Sequence, residues 1–316
     1  MMAHDSAPAA IVRLDTIDST QSVAFGLAER GAADRTVVVA DQQLAGRGRR
    51  GRIWQAPAGT SLLASIIVRS RLPQALLPTF SPMTAVATAD ALRRVAPVAA
   101  RVKWPNDVLV GGKKIAGILL ESRARSGTSE PGRDGTRPES GVSEPRCDGI
   151  WPESGVSEPG RSFLVPPSVQ AGLKDPATKN QAGLEAPATT PVTIIGIGVN
   201  LGQLEFPPEL AGHATSVALE TGRAPDRETM LSVLLEEFDA WRVRLEREGF
   251  GAVREQWRML SDTLGRHVTL DGVTGIAVDL DVDGALLIDA GGTVRRVIAG
   301  EIARDEAAAG SRAGGR

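Results

Sequence analysis

Lys103-Trp104-Pro105-Asn106-Asp107, followed by Lys113-Lys114-Ile115-Ala116-Gly117-Ile118, is the stretch on which the reading of this chain turns. Val102–Val110 and Lys114–Glu121 look like two strands joined across the Gly111-Gly112 turn. Pro105 fixes a turn, and Asn106-Asp107 place an amide and a carboxylate at the mouth of a strand. Lys114, across the glycine turn, can point to the same place. An ammonium held there can offset negative charge that develops when a carboxylate attacks a phosphate. Lys113 reads as a solvated turn lysine.

Outward from this segment the pattern is mixed α and β. Ile11–Leu14, Thr36–Ala40, Ser61–Val68 and Thr193–Leu201 read as strands. Asp18-Ser19-Thr20-Gln21 opens a helix to about Arg30, with Asp18 or Ser19 as its cap and Gly31 as a left-handed stop. Ser81–Val95, Arg227–Glu248 and Gly251–Leu260 carry helical spacing. From Leu264 the pattern changes to short strands between Asp/Gly turns: His267–Leu270, Gly275–Leu280, Ala285–Ile288 and Val294–Ile298. That predicts a small β-barrel or sandwich. The expected fold class is therefore α+β.

The densest chemical signal is Gly46-Arg47-Gly48-Arg49-Arg50-Gly51-Arg52-Ile53-Trp54, preceded by Gln42-Gln43. It formally matches G-x-G-x-x-G, but a dinucleotide site needs a helix directly after the motif and an acidic residue about twenty positions on. Here Pro57 and Gly59 follow, and the region around Arg71 is basic. No P-loop sequence occurs either. What remains is four arginines on a backbone freed by three glycines. Arginine offers a planar fork to phosphate and carboxylate oxygens, and glycine lets the main chain approach a ligand. Like charges this close repel, so the loop is expected to be mobile until a ligand orders it. Taken alone, the loop also fits a nucleic-acid contact or a solvated basic segment.

Bulk properties narrow the choice. The chain has 316 residues, a net charge of -2, 42% hydrophobic and 23% charged residues, as an ordinary globular protein does. That charge supplies no global positive field for nucleic acid. With no tyrosine, a phenol is excluded as a catalytic group. A lone cysteine, Cys147, excludes a disulfide framework and a multi-cysteine zinc site. No apolar run approaches about 18 residues and the N-terminus lacks a signal-peptide pattern, so the expected location is the cytoplasm. Between Arg123 and Pro191 lie two repeats, one of fourteen residues built on Ser-Gly-x-Ser-Glu-Pro and one of eleven. Such Pro/Gly/Ser/Glu-rich units bury too little apolar surface to order themselves and are expected to form a disordered insertion between two paired strands. Lengthening a hairpin loop that far costs only about 2 kcal/mol of closure entropy.

The Gly-Arg loop, the Lys-Trp-Pro-Asn-Asp segment with Lys-Ile-Ala-Gly-Ile, Asp18-Ser19-Thr20-Gln21 and Ile195-Gly196-Ile197-Gly198-Val199-Asn200-Leu201 occur in the order that resembles the biotin protein ligases, also called biotin–[acetyl-CoA-carboxylase] ligases. With the terminal β module, the resemblance covers the chain apart from the insertion and tails. It implies a mixed-sheet catalytic domain of the biotin/lipoate ligase type (residues 11–261, interrupted at about 123–191) followed by a small SH3-like β-barrel (262–304), with a flexible start (1–10) and a disordered tail (305–316). It implies two steps: biotin and MgATP give biotinyl-5′-AMP, then a lysine amine of a biotin carboxyl carrier domain takes the biotinyl group. Carried over by residue, Ser19, Thr20, Gln21 and Gln43 look like biotin-ring contacts. Arg47, Gly48 and Arg49 look like the closing loop, with Arg47 near the biotin carboxylate and the adenylate phosphate. Trp54 and Gly117 fall beside the biotin tail. Lys114 matches the lysine between carboxylate and α-phosphate, and Arg49, Arg50, Asn106, Lys114 and Asn200 the nucleotide end. Lys114, Arg47 and Asp107 form the implied catalytic set. An acceptor lysine of pKa near 10.4 is mostly protonated at neutral pH, so Asp107 is either its base or the partner that orients Lys114. No metal ligands are assigned. A homodimer is compatible with the resemblance.

Regulatory members of that family carry an N-terminal winged helix-turn-helix. Here catalytic-type sequence starts by Ile11, so an enzyme that does not bind DNA is expected. Two other readings stay open: a lipoate- or octanoyl-protein ligase of the same fold, which would lack the Gly-Arg-Gly-Arg-Arg-Gly string, and a nucleic-acid-binding protein using the arginine loop.

Overall fold

The computed structural model describes residues 9–123, 191–298 and 300. The repeat insertion, the tail and residues 1–8 of the expected flexible start lie outside them. Ala10 does not: its carbonyl accepts the Val37 amide, so the ordered sheet begins there.

Seven strands form one mixed sheet: β1 (Ile11–Ile17), β2 (Val37–Gln43), β3 (Ser61–Val68), β4 (Arg101–Lys103), β5 (Asp107–Val110), β6 (Lys113–Arg123) and β7 (Val192–Asn200). Their order is β1-β2-β3-β7-β6-β5-β4, with β1 and β2 parallel and every other neighbour antiparallel. Helices α1 (Thr20–Glu29), α2 (Phe80–Val95), α3 (Val217–Thr221), α4 (Arg227–Glu248) and α5 (Phe250–Leu260) complete this layer. Four further strands, β8 (His267–Leu270), β9 (Val273–Leu280), β10 (Leu286–Asp289) and β11 (Val294–Val297), make a separate antiparallel meander in the order β11-β10-β9-β8. The α+β class is as expected.

Alternation along the strands divides the large sheet into two faces. Leu62, Ala64, Ile66 and Val68 of β3, with Ile195, Ile197 and Val199 of β7, join the core that α2, α4 and α5 cover. The opposite set, Ser65 of β3 and Gly196, Gly198 and Asn200 of β7, faces away from those helices, toward α1 and the arginine loop. β3 is buried along its whole length and β7 everywhere but Gly196 and Gly198, so apolar residues make both faces of the central strands, and the polar or side-chain-free exceptions mark one of them.

Val102–Val110 is not one strand. It is a hairpin, β4 and β5 paired Val102↔Val108 and Lys103↔Asp107, because Trp104-Pro105-Asn106 turns the chain through a cis Trp104–Pro105 peptide. Trp104 is the buried residue of this turn: it donates its amide to Thr263 Oγ1 (2.9 Å) and its indole Nε1–H to the Gly284 carbonyl (3.1 Å), joining the large sheet to the β8–β11 meander. β1 runs three residues beyond the expected Leu14, and α3 was not visible in the sequence pattern. The strands β6 and β7 that flank the insertion pair directly, out to Arg123↔Val192. Among the described residues no helix is long and apolar enough to cross a membrane.

Candidate functional site

The site lies on the face of the sheet that α2 leaves open. Ser19 caps α1 by accepting the Gln21 amide (3.2 Å), which points the first turn at the end of β2. There Gln43 Oε1 accepts both the Thr20 amide (2.8 Å) and the Thr20 hydroxyl (3.0 Å). With Oε1 saturated, the Gln43 amide nitrogen is turned toward Gly46. Ser65, fully buried in β3, donates to Thr20 Oγ1 at 2.8 Å and also lies 3.3 Å from Gln21 Oε1. The Thr20 proton is thus committed within the protein. Gln21 is spent on architecture: its Nε2 reaches the carbonyls of Leu119 and Ile194, both at 3.4 Å, and bridges β6 and β7. Any side chain at Gly196 would collide with it, since a Cβ would stand 2.4 Å from Gln21 Oε1.

One step along β7, Gly198 is paired with Gly117 of β6. The indole of Trp54 rests on this pair: a Cβ on Gly198 would come within 2.5 Å of its Cε2, and one on Gly117 within 3.0 Å of its Cζ3. Lys114 Nζ sits 5.7 Å from the Trp54 ring centre and 2.6 Å from Asp107 Oδ1, so the lysine, the carboxylate and the indole meet beside Gly117. The main chain of Lys114 is clamped by its own bonds to the His213 carbonyl (2.8 Å) and the Thr215 amide (2.9 Å). Asn200 is buried and donates to the Thr215 carbonyl at 3.0 Å, which holds that clamp against β7.

The arginine loop closes on itself. Arg47 and Ile53 form a bridge, Gly48 N donates to Arg52 O (2.8 Å) and Trp54 N to Gly46 O (2.9 Å). Repulsion between the arginines is met by separate partners on separate segments. Arg47 pairs with Glu121 (2.8 Å), Arg49 donates to Asn106 Oδ1 (3.2 Å), and Arg50 lies 3.6 Å from Asp271 in the β8–β9 turn. Asn106 is fixed by donating to the Ile118 carbonyl at 2.6 Å. Loop, Leu119 and Glu121 together enclose an open cleft of about 530 Å³.

The fold therefore gathers Thr20 with Gln43, and Lys114 with Asp107, Trp54 and Gly117, while Arg49 and Asn106 meet at the adjoining turn. It does not bring Arg47 to Lys114. Lys114 Nζ is beside Gly117, whereas Glu121, the partner of Arg47, is four positions further along β6, roughly 13 Å away at ~3.3 Å per residue. Ser65, Glu121, Asp271 and Thr215 were missed in the sequence. Two left a signal: Ser65 is a polar residue inside a run buried throughout, and Glu121 ends the apolar run Ile115–Leu120.

An arginine–glycine loop over a glycine-floored sheet, with a lysine–carboxylate pair at its edge, defines a ligase that handles an activated carboxylate. Residues 14–132 match the biotin/lipoate A/B protein ligase family and residues 263–304 the biotin protein ligase C-terminal domain. A biotin–[acetyl-CoA-carboxylase] ligase of Paracoccus denitrificans is 32% identical over 280 residues, 86% of this chain and 90% of that protein. A ligase of the same name from Mycobacterium tuberculosis is 29% identical over 304 residues, 92% of this chain and 88% of that one. In fold, a biotin protein ligase from Aquifex aeolicus solved with biotin and ATP aligns with TM-score 0.65 at 23% identity, over 93% of this chain and 97% of that chain. The chain belongs to the biotin/lipoate A/B protein ligase family, on its biotin protein ligase branch.

Proposed function

We propose that this enzyme attaches biotin to a lysine of a biotin carboxyl carrier domain, in the cytoplasm, through biotinyl-5′-AMP. The observation that supports it best is the juxtaposition of Lys114, Asp107 and Trp54 on the Gly117–Gly198 floor, with the Thr20–Gln43 pair further along the same face. In this reading the biotin ring lies toward Thr20 and Gln43, and its carboxylate toward Lys114.

In the first step a carboxylate oxygen of biotin attacks the α-phosphorus of ATP, and the bond to pyrophosphate breaks. The Lys114 ammonium offsets charge on the oxygens between the two reactants. Arg49, which donates to Asn106 one residue before Asp107, is in this reading the loop arginine that shares that load, and Asn200 serves the nucleotide end by holding the 213–215 segment. ATP brings its magnesium with it. In the second step the ε-amine of the carrier lysine attacks the acyl carbon, the bond to AMP breaks, and the amine proton passes to a carboxylate. The 2.6 Å contact favours Asp107 as the residue that orients Lys114. Asp107→Asn separates the two roles, because loss of orientation slows adenylate formation whereas loss of the base slows transfer alone.

The test is incubation with ATP, a carrier domain and either labelled biotin or labelled lipoate. Labelling by biotin is expected; labelling by lipoate alone overturns the reading.

A further inference from the structure

Arg47 and Arg49 leave the loop in different directions, toward the far end of β6 and toward the β4–β5 turn. Arg47 pairs with Glu121, whereas Lys114 pairs with Asp107. The setting of Arg47 explains what it does. Glu121 presents one oxygen to Arg47 at 2.8 Å, and its second oxygen, Oε2, is buried with no hydrogen-bond partner among the described residues. A carboxylate with one oxygen withdrawn from water needs a countercharge close by. Arg47 supplies it, and both residues line the cleft. The Arg47 backbone is tied in turn to the limb that carries Trp54, through the Arg47–Ile53 bridge and the Trp54 N to Gly46 O bond. Fixing Arg47 therefore fixes the limb that lays Trp54 on the glycine floor and directs Arg49 to Asn106.

We infer that Glu121 is a positioning residue for the ligase reaction. It anchors Arg47, and thereby the closed loop, without itself touching biotin or the nucleotide. Two other loop contacts differ in kind: Asn106 is neutral, and the 3.6 Å Arg50–Asp271 pair is more than half exposed on both sides and weaker. The role of the anchor in catalysis rests on the ligase reading above; the anchor itself does not.

Three variants test it: Glu121→Ala, Arg47→Glu, and the exchange Arg47→Glu with Glu121→Arg. Hydrogen–deuterium exchange of residues 46–54 reads the anchor in ligand-free protein, whatever substrate the enzyme takes. Escape of biotinyl-adenylate, read as labelling of bystander amines in the absence of carrier, reads its consequence. Glu121→Ala is expected to speed exchange of the loop, and adenylate escape, by up to about fivefold, the range of a half-exposed ion pair. Its melting temperature should stay that of the parent. The exchanged pair should return both readouts to within about twofold of the parent. Loop exchange in Glu121→Ala equal to the parent's overturns the anchor. An exchanged pair that restores loop protection but not adenylate formation assigns Arg47 to direct ligand contact and overturns the positioning role. If loop protection behaves as expected while no biotin is activated by the parent, the ligase reading fails and the anchor stands.

Discussion

Gly198→Ala should damage the site through one methyl group. The new Cβ would lie 2.5 Å from Trp54 Cε2 and 2.7 Å from Cζ2, where ordinary contact begins near 3.4 Å. The indole must withdraw by roughly 1 Å, the difference between those distances for a well-packed interior. Moving the backbone would stretch the Trp54 N to Gly46 O hydrogen bond of 2.9 Å, so the ring is the easier part to move. The ring must tilt off the floor. Overpacking of this kind costs about 1–3 kcal/mol, offset by about 0.4–1 kcal/mol from the stiffer unfolded chain. A net loss of about 1 kcal/mol lowers the melting temperature by about 2–4 °C in a chain of this size. A tilted indole also intrudes on the space above Gly117, so KM for biotin should rise while KM for ATP changes less. Calorimetry and steady-state kinetics on Gly198→Ala, Trp54→Ala and the double variant give the coupling. The penalty of the glycine change should vanish when the indole is gone. If it persists in the Trp54→Ala background, the steric account is wrong.

Three further outcomes follow from the same geometry. Lys114→Ala should cut pyrophosphate release in the adenylation half-reaction by roughly 10²–10³-fold, with little change in melting temperature; a smaller loss removes Lys114 from charge stabilisation. Asp90 of α2 is held above the usual carboxylate range, first by burial, against the opposing hydrogen bonds from Trp241 Nε1 (3.1 Å) and Gln256. The folded state therefore binds its proton more tightly than the unfolded chain, so its stabilising contribution is complete below the unfolded pKa of about 3.9 and is lost as pH rises through the raised folded value. Asp90→Asn should gain stability relative to the parent between pH 4 and pH 7 in denaturant melts, and a constant difference across that range refutes the assignment. Replacing residues 124–191 by Asn-Gly joins two directly opposed residues, Arg123 and Val192, by a hairpin turn that suits them. Stability should rise by up to about 3 kcal/mol from the shorter loop, and biotinylation should persist; its loss would show that the repeats take part.

The strands and helices were legible because the apolar runs have the right period and length, and the hairpin at Trp104 shows where period alone fails. Pro105 marks a turn inside Val102–Val110, but period does not say that the two halves pair with each other, and the bonds of Trp104 to Thr263 and Gly284 hold that fold-back in place. Those partners lie about 160 and 180 positions away, beyond the reach of any local pattern. The short α3 was missed for the opposite reason: five residues show too little periodicity to register.

Site residues were legible where they fall in dense strings and illegible where function depends on a missing atom or a distant partner. Gly196 and Gly198 are informative in the sequence only as part of a motif; in the fold they are places where Gln21 and Trp54 occupy the volume of a side chain. Arg47 and Arg49 are two positions apart in a uniformly basic string, and nothing local tells them apart. What separates them is the pairing of β6 with β7 and of β5 with β6, which sets Glu121 and Asn106 at different points along the cleft. Arg47 and Arg49 are thereby given different addresses, Arg49 toward Asn106 and the turn that carries Asp107, Arg47 toward the far end of β6. An arginine's role in such a loop follows from which strand position answers it, so the residues that answer, Glu121 above all, determine how the loop closes.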